Sequence, residues 1–329
     1  MNFTRFLQAL TLTFVMAFVA GSAHAQNILA KIAIPSNAQS SISVNAALNK
    51  VYVSGGASSD QHVAVIDGNT FTVTDVGSGS DANVDLKTDR YWAAGVYSGT
   101  AIVRNGTTNA EITSVNTGFC PTVTSYDCKY RRMWVGAQCG SGNDPVFAVD
   151  PDTYGIIAGP IGTGGVLGYI IANGGTGRLY INSSGTSKRV NPTTFAVTTN
   201  AFGIVEAINP ITNLLYAISG NNLQVINGKP DPEVILRTIP LTYNPGQMAF
   251  NTVQNHLYLG NPSGSSVEVR SGTNGSFIAN FSLGAGANPQ RMVADPVRGR
   301  LYVIVYTNAG SFVYVIEDLT LARSCVSNG

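Results

Sequence analysis

The chain is predicted to be all-β: a seven-bladed β-propeller of four-stranded antiparallel blades. Three observations carry this. A short apolar strand with an aromatic second residue recurs seven times, at Tyr52, Trp92, Trp134, Tyr180, Tyr216, Tyr258 and Tyr302. The spacings are 40, 42, 46, 36, 42 and 44 residues, a period typical of propeller blades. An Asn or Asp stands seven residues before every aromatic: Asn45, Asp85, Asp127, Asn173, Asn209, Asn251 and Asp295.

Each element of the unit has a local reason. The Asn or Asp side chain bonds backbone two residues on, which makes a turn between an inner and a second strand. Three residues before the aromatic stands Asn, Asp or Gly, which tolerate left-handed φ; Arg131 is the exception. These acidic and amide residues are therefore read as turn chemistry and not as ligands. A third strand of alternating type follows, as in Val63–Asp67, Leu223–Asn227 and Val313–Glu317. Gly or Pro comes next in six copies: Gly68, Gly106, Pro151, Pro192, Gly228 and Gly272. A fourth strand, such as 71–76 or 234–239, completes the unit.

The two ends of the chain close the ring. Residues 28–34 align without gaps on 234–240, which makes them a fourth strand. They are expected to supply the outer strand of the last blade, beside Phe312–Ile316. The competing candidate for that place is 319–326. Closure of this kind removes an open sheet edge. The glycine-rich run 159–165 lacks the Lys-Ser/Thr of a phosphate loop and no helix follows it, so it reads as an inter-blade loop.

Residues 1–25 read as a secretory signal peptide, with one charge at Arg5, an apolar core over 9–20, and cleavage before Gln26. Residues 26–329 then form a single propeller domain in the periplasm or outside the cell. No later run is long and apolar enough to span a membrane. Without the signal, 18 basic and 18 acidic side chains remain (19 less Arg5, against 18), so the mature chain is neutral. Charged residues are only 11% of the sequence, and the basic excess of a nucleic-acid or anionic-membrane binder is missing. A nucleic-acid reading would draw on Lys129, Arg131, Arg132, Lys188 and Arg189.

The leucine–tyrosine–valine strands after Asn-Pro-x-x-Asn turns, followed by Val-x-Val-Ile-Asp-Gly, resemble the YVTN-repeat propellers. The resemblance spans residues 28–317. It is close in 46–68, 209–228 and 295–317, and loose in the second and third repeats. It implies a secreted or cell-surface protein of bacteria or archaea and carries over no catalytic residue. Related propellers include lactonases, a lyase and partner-binding proteins, so the fold does not choose among them.

The leading expectation is a monomeric, non-catalytic module without cofactor that binds a protein or cell-envelope partner through its loop rim. The alternative is a lactonase-like hydrolase or a lyase working at the mouth of the central channel. Two histidines remain after cleavage, His62 and His256, in different repeats, so no metal site is expected. The chemically odd residues cluster ahead of or within inner strands. The candidate binding set is Asp81, Tyr243, Gln247, Gln290 and Arg291 at the channel mouth, with Glu206 deeper.

Four cysteines in an exported chain invite pairing. Cys120 lies nine residues before Lys129, the centre of its hairpin turn, and Cys139 ten after it. Antiparallel pairing sets them opposite within one residue, so a Cys120–Cys139 disulfide is expected. The alternative is two buried thiols. Cys128 sits in the turn, away from both, and would meet Cys325 only if the C-terminal tail crosses the ring.

Overall fold

The computed structural model describes residues 27–318 apart from 36–37, 39, 56–60, 96–97, 139–141 and 184–185. Residues 1–26, with the expected signal peptide, as well as Cys139 and residues 319–329, with Cys325, lie outside the described residues. All regular structure among the described residues is β-strand.

Blade 1 comprises β2 (Ser41–Asn45), β3 (Lys50–Gly55), β4 (His62–Asp67) and β5 (Val73–Asp75). Blade 2 comprises β6 (Ala82–Asp85), β7 (Arg90–Gly95), β8 (Thr100–Asn105) and β9 (Glu111–Asn116). Blade 3 holds β10 (Pro121–Asp127), β11 (Arg132–Ala137), β12 (Pro145–Val149) and β13 (Ile156–Gly162). Blade 4 holds β14 (Leu167–Ala172), β15 (Leu179–Ser183), β16 (Thr186–Val190) and β17 (Val197–Thr199). Blade 5 is built from β18 (Ile204–Asn209), β19 (Leu214–Ser219), β20 (Asn222–Asn227) and β21 (Val234–Pro240). Blade 6 is built from β22 (Met248–Asn251), β23 (His256–Asn261), β24 (Ser266–Ser271) and β25 (Phe277–Ser282). Blade 7 joins β26 (Asn288–Asp295), β27 (Arg300–Thr307) and β28 (Gly310–Glu317) to the N-terminal β1 (Asn27–Ala33).

Each blade is a four-stranded antiparallel sheet, as the repeat predicts. The closure is as expected: β1 pairs with β28 from Asn27↔Glu317 to Ala33↔Phe312. One expectation is corrected. The glycine-rich run 159–165 is not a loop throughout, because β13 continues to Gly162 and pairs Pro145↔Gly162 and Val146↔Ile161. Register shifts on either side of Ala148 absorb the irregular residues.

The seven repeat aromatics are fully buried. Each packs into the next blade. Tyr52 meets Val84 and Tyr91 of blade 2, Trp134 meets Leu179 and Ile181 of blade 4, and Tyr302 meets Val51 and Val53 of blade 1. The core is thus a set of inter-blade seams, and each buried ring contributes about 3 kcal/mol or more.

The turn chemistry holds in every repeat. Asn209 Oδ1 accepts from the backbone N–H of Ile211 and Thr212 at 3.0 and 3.2 Å. Asp295 does the same for Val297 and Arg298 at 2.9 and 3.2 Å. Left-handed φ occurs at all seven turn ends, from 52° at Asn49 to 76° at Gly177. Arg131, at 53°, adopts it without the usual residue type. Its guanidinium meets Asp152 at 2.7 Å, an exposed pair that offsets only part of the left-handed cost.

Antiparallel connectivity sends the first-to-second and third-to-fourth strand turns to one face of the ring; blade 7, closed by β1, has only the first of them. The second-to-third and inter-blade connections go to the other. The first face is built of tight, internally bonded turns with exposed apolar tips, among them Ile211, Val253 and Val297. The second is the loop face, where the inner strands begin.

Candidate functional site at the channel mouth

The inner strands converge on a cavity of 560 Å³ at the loop-face end of the channel. That is the size of an ordinary ligand pocket. Asp81, Glu206, Gln247 and Arg291 all line it, with Tyr169, Thr122, Gln61 and Gln138. Gln290 instead lines a neighbouring, smaller recess with Asn244, Pro245 and Gln247. Tyr243 stands apart; its hydroxyl donates to Glu268 at 2.7 Å.

Two placements differ from the sequence reading. Gln290 and Arg291 belong to β26 itself and not to the loop before it. They sit in a register shift between Pro289 and Met292. Glu206 likewise occupies a bulge, the extra residue between the pairs Val205↔Ala217 and Ala207↔Tyr216. A bulge re-aims a side chain off the alternating pattern, and here it turns a carboxyl toward the channel. Thr122 and Gly168 fall in equivalent irregularities in blades 3 and 4.

Asp81 is committed to the ring. It accepts from the Ser41 hydroxyl of blade 1. It also accepts from the Thr124 backbone N–H at 2.5 Å and the Thr124 hydroxyl at 3.1 Å in blade 3. Burial raises its pKa above the ordinary carboxylate value, against the opposing pull of these donors and of Arg291. One carboxylate thereby ties three blades together.

Arg291 spans the channel. It donates to Gln247 Oε1 at 2.5 Å, and its guanidinium lies 5.1 Å from the centre of the Tyr169 ring. The Tyr169 hydroxyl donates to the Val205 carbonyl at 3.2 Å. Glu206 Oε2 is buried and has no hydrogen-bond partner. Burial pushes the Glu206 carboxyl up to about 7, while Tyr169 and Arg291 pull partly the other way. Glu206 and Arg291 form no ion pair within 4.0 Å, although both face the same cavity.

The five cations weighed for nucleic acid are engaged inside the protein. Lys129 Nζ donates to the Gly175 carbonyl at 3.1 Å, and Lys188 Nζ to Thr163 and Gly164 at 2.5 and 2.9 Å. Arg132 donates to the Pro192 carbonyl at 2.5 Å. Arg131 pairs with Asp152, and Arg189 with Asp231 and Glu233. No group of three or more His, Cys, Asp and Glu side chains suited to a metal occurs among the described residues. No helix among the described residues is long and apolar enough to cross a membrane.

No family model and no curated protein matches the chain. Solved structures do. A chain of the mitotic checkpoint complex aligns over 90% of this chain and 94% of that one, with a TM-score of 0.72 and 10% identity. The Cps50 (Swd1) β-propeller domain of Myceliophteria thermophila aligns over 89% of this chain and 100% of that one, with a TM-score of 0.67 and 10% identity. At this identity the likeness establishes the propeller fold alone.

Proposed function

We propose that the protein is an exported, monomeric binding module of the YVTN-repeat type. In this reading residues 1–25 direct it to the periplasm or the exterior, and the mature domain grips a protein or cell-envelope partner with its loop face. The observation that carries the reading is the contrast between the two faces. One is closed by the self-bonded turns of the blades. The other carries the inter-blade connections around a cavity of mixed polar and apolar lining, whose charged residues, Asp81, Glu206 and Arg291, depart from the repeat pattern. Rigid blades presenting variable loops suit recognition. Two structural neighbours, a chain of a checkpoint complex and a propeller domain, support this reading, the first by its place in a protein assembly.

Capture of envelope components by immobilised residues 26–329 tests the proposal. A saturable partner, displaced by excess free protein, supports it. Absence of any such partner in the host envelope overturns it.

One observation favours a second reading, a hydrolase or lyase at the channel mouth. A carboxyl raised to about 7 beside a tyrosine and an arginine is a group fit for proton transfer. Turnover of lactone substrates that disappears in Glu206→Gln would decide for it.

A further inference from the structure

The channel mouth presents two opposite charges that do not neutralise each other. Glu206 enters from β18 of blade 5 and Arg291 from β26 of blade 7. Each is held by something other than its counter-charge. Arg291 is fixed by the Gln247 amide and by stacking on Tyr169. Glu206 is turned inward by the bulge, the Tyr169 hydroxyl lies within hydrogen-bonding reach of its carboxyl, and its Oε2 accepts no hydrogen bond. The third charge, Asp81, is saturated by the Ser41 and Thr124 donors, so it has little left to offer a ligand. An unpartnered buried carboxyl oxygen is costly, and such a group marks a place where something is missing.

The missing partner has to satisfy both ends. A ligand with only an anion would meet Arg291 and leave Glu206 bare. A ligand with only a cation would meet Glu206 and face the Arg291 guanidinium. A neutral polyol fits less well, because the face of Tyr169 turned to Arg291 is already covered and cannot stack on a sugar ring. The remaining lining includes Ile42, Val123, Met248 and Met292, which gives room for an apolar or amide side chain.

We propose that the channel mouth binds a free α-amino acid as a zwitterion. Its carboxylate lies against Arg291, its ammonium donates to Glu206 Oε2, and its side chain fills the apolar part of the cavity. This is a small-molecule site, separate from the partner-binding reading above, and it stands or falls without it. Charge-assisted hydrogen bonds of this kind are roughly twice as strong as neutral ones, and opposite charges at the two ends select the orientation of the ligand.

The test uses purified residues 26–329 with no partner present. The standard L-amino acids are screened at millimolar concentration by ligand-detected NMR, and the tightest binder is titrated calorimetrically. It is compared with two analogues, one lacking the ammonium and one lacking the carboxylate. The proposal expects at least one amino acid to bind. Each analogue should bind about tenfold more weakly or worse, the equivalent of one charge-assisted bond. Glu206→Gln should weaken the amino acid about tenfold while leaving the ammonium-free analogue unchanged. Binding by no amino acid overturns the proposal. Equal binding of the parent and its ammonium-free analogue also overturns it, as does binding of neutral sugars in their place. The analogue comparison needs only wild-type protein, so a variant that fails to fold cannot shield the idea.

Discussion

The Arg300 guanidinium on β27 donates to the Gly68 carbonyl at 2.8 Å, joining the last blade to the first. The same relationship recurs around the ring. Lys50 reaches the Gly106 carbonyl at 2.6 Å, Arg90 the Pro151 carbonyl at 3.3 Å, and Arg178 the Gly228 carbonyl at 2.8 Å. Arg132 reaches Pro192 in the same way. In each case the basic residue stands two before a repeat aromatic, and the carbonyl belongs to the Gly or Pro that follows a third strand of the next blade. Leu214 breaks the rule, and there the Tyr216 hydroxyl bonds the Gly272 carbonyl instead.

Arg300→Met should therefore destabilise the whole ring. It removes a charge-assisted bond and the stacking of the guanidinium over Phe71, whose ring centre is 5.7 Å away. The expected loss is about 2 kcal/mol in urea unfolding. Arg237→Met, at an exposed position on β21, should change little. Equal effects from the two would show that the seam bond contributes nothing of its own.

Deleting residues 26–35 should cost more. It strips β28 of its edge partner and removes Ile32 and Ile34 from the core shared by blades 7 and 1. Two buried isoleucines and a strand of hydrogen bonds together amount to about 5 kcal/mol. A truncated protein with an unchanged melting temperature would contradict closure by β1.

The ring was legible in the sequence because its signals are local. Turn chemistry, strand alternation and the period all repeat, so each copy supports the others. The channel mouth was only partly legible. Asp81, Glu206, Gln247 and Arg291 drew notice as departures from the repeat, and they share one cavity. Tyr169 did not draw notice, because an aromatic in an inner strand reads as core. Bulges hid the rest, since an extra residue changes which side chain faces the channel without leaving a sequence mark. The basic residues of the seams were visible too. Their partners lie in the next blade, so their role needed the ring order.

Glu206 makes stability depend on pH. Its folded pKa of about 7 lies above the usual 4.5, so the folded state holds its proton more tightly than the unfolded state. Stability contributed by the protonated carboxyl is present below the unfolded value and is lost as pH rises through about 7. Tyr169 from β14, Arg291 from β26 and Asp81 across the cavity are the titratable groups that face it. Glu206→Gln should stabilise the protein by about 2 kcal/mol near pH 8 and by almost nothing near pH 4. A stability difference that does not vary with pH would contradict a buried, proton-holding Glu206.

The Cys120–Cys139 bridge remains a proposal, as Cys139 lies outside the described residues. The register around it supports the pairing. Pro121 stands opposite Ala137, and the Gln138 backbone N–H donates to the Cys120 carbonyl at 2.8 Å. Cys128 is an exposed free thiol. A loop of this length closed by a disulfide contributes about 3 kcal/mol. Non-reduced peptide mapping of protein exported by its host should yield a Cys120–Cys139 peptide. Two alkylatable thiols in its place would contradict the bridge.

The most direct test of the binding reading maps which face meets the partner. Photo-crosslinking residues are placed singly at Gln61, Gln138 and Asn244 around the channel mouth, and at Ile211, Val253 and Val297 on the turn face. The variants are expressed in the host with residues 1–25 intact, illuminated, and analysed by mass spectrometry. The account predicts a shared adduct from the three loop-face positions and none from the turn face. Adducts confined to Ile211, Val253 and Val297 would place the working surface on the opposite side of the ring and contradict it.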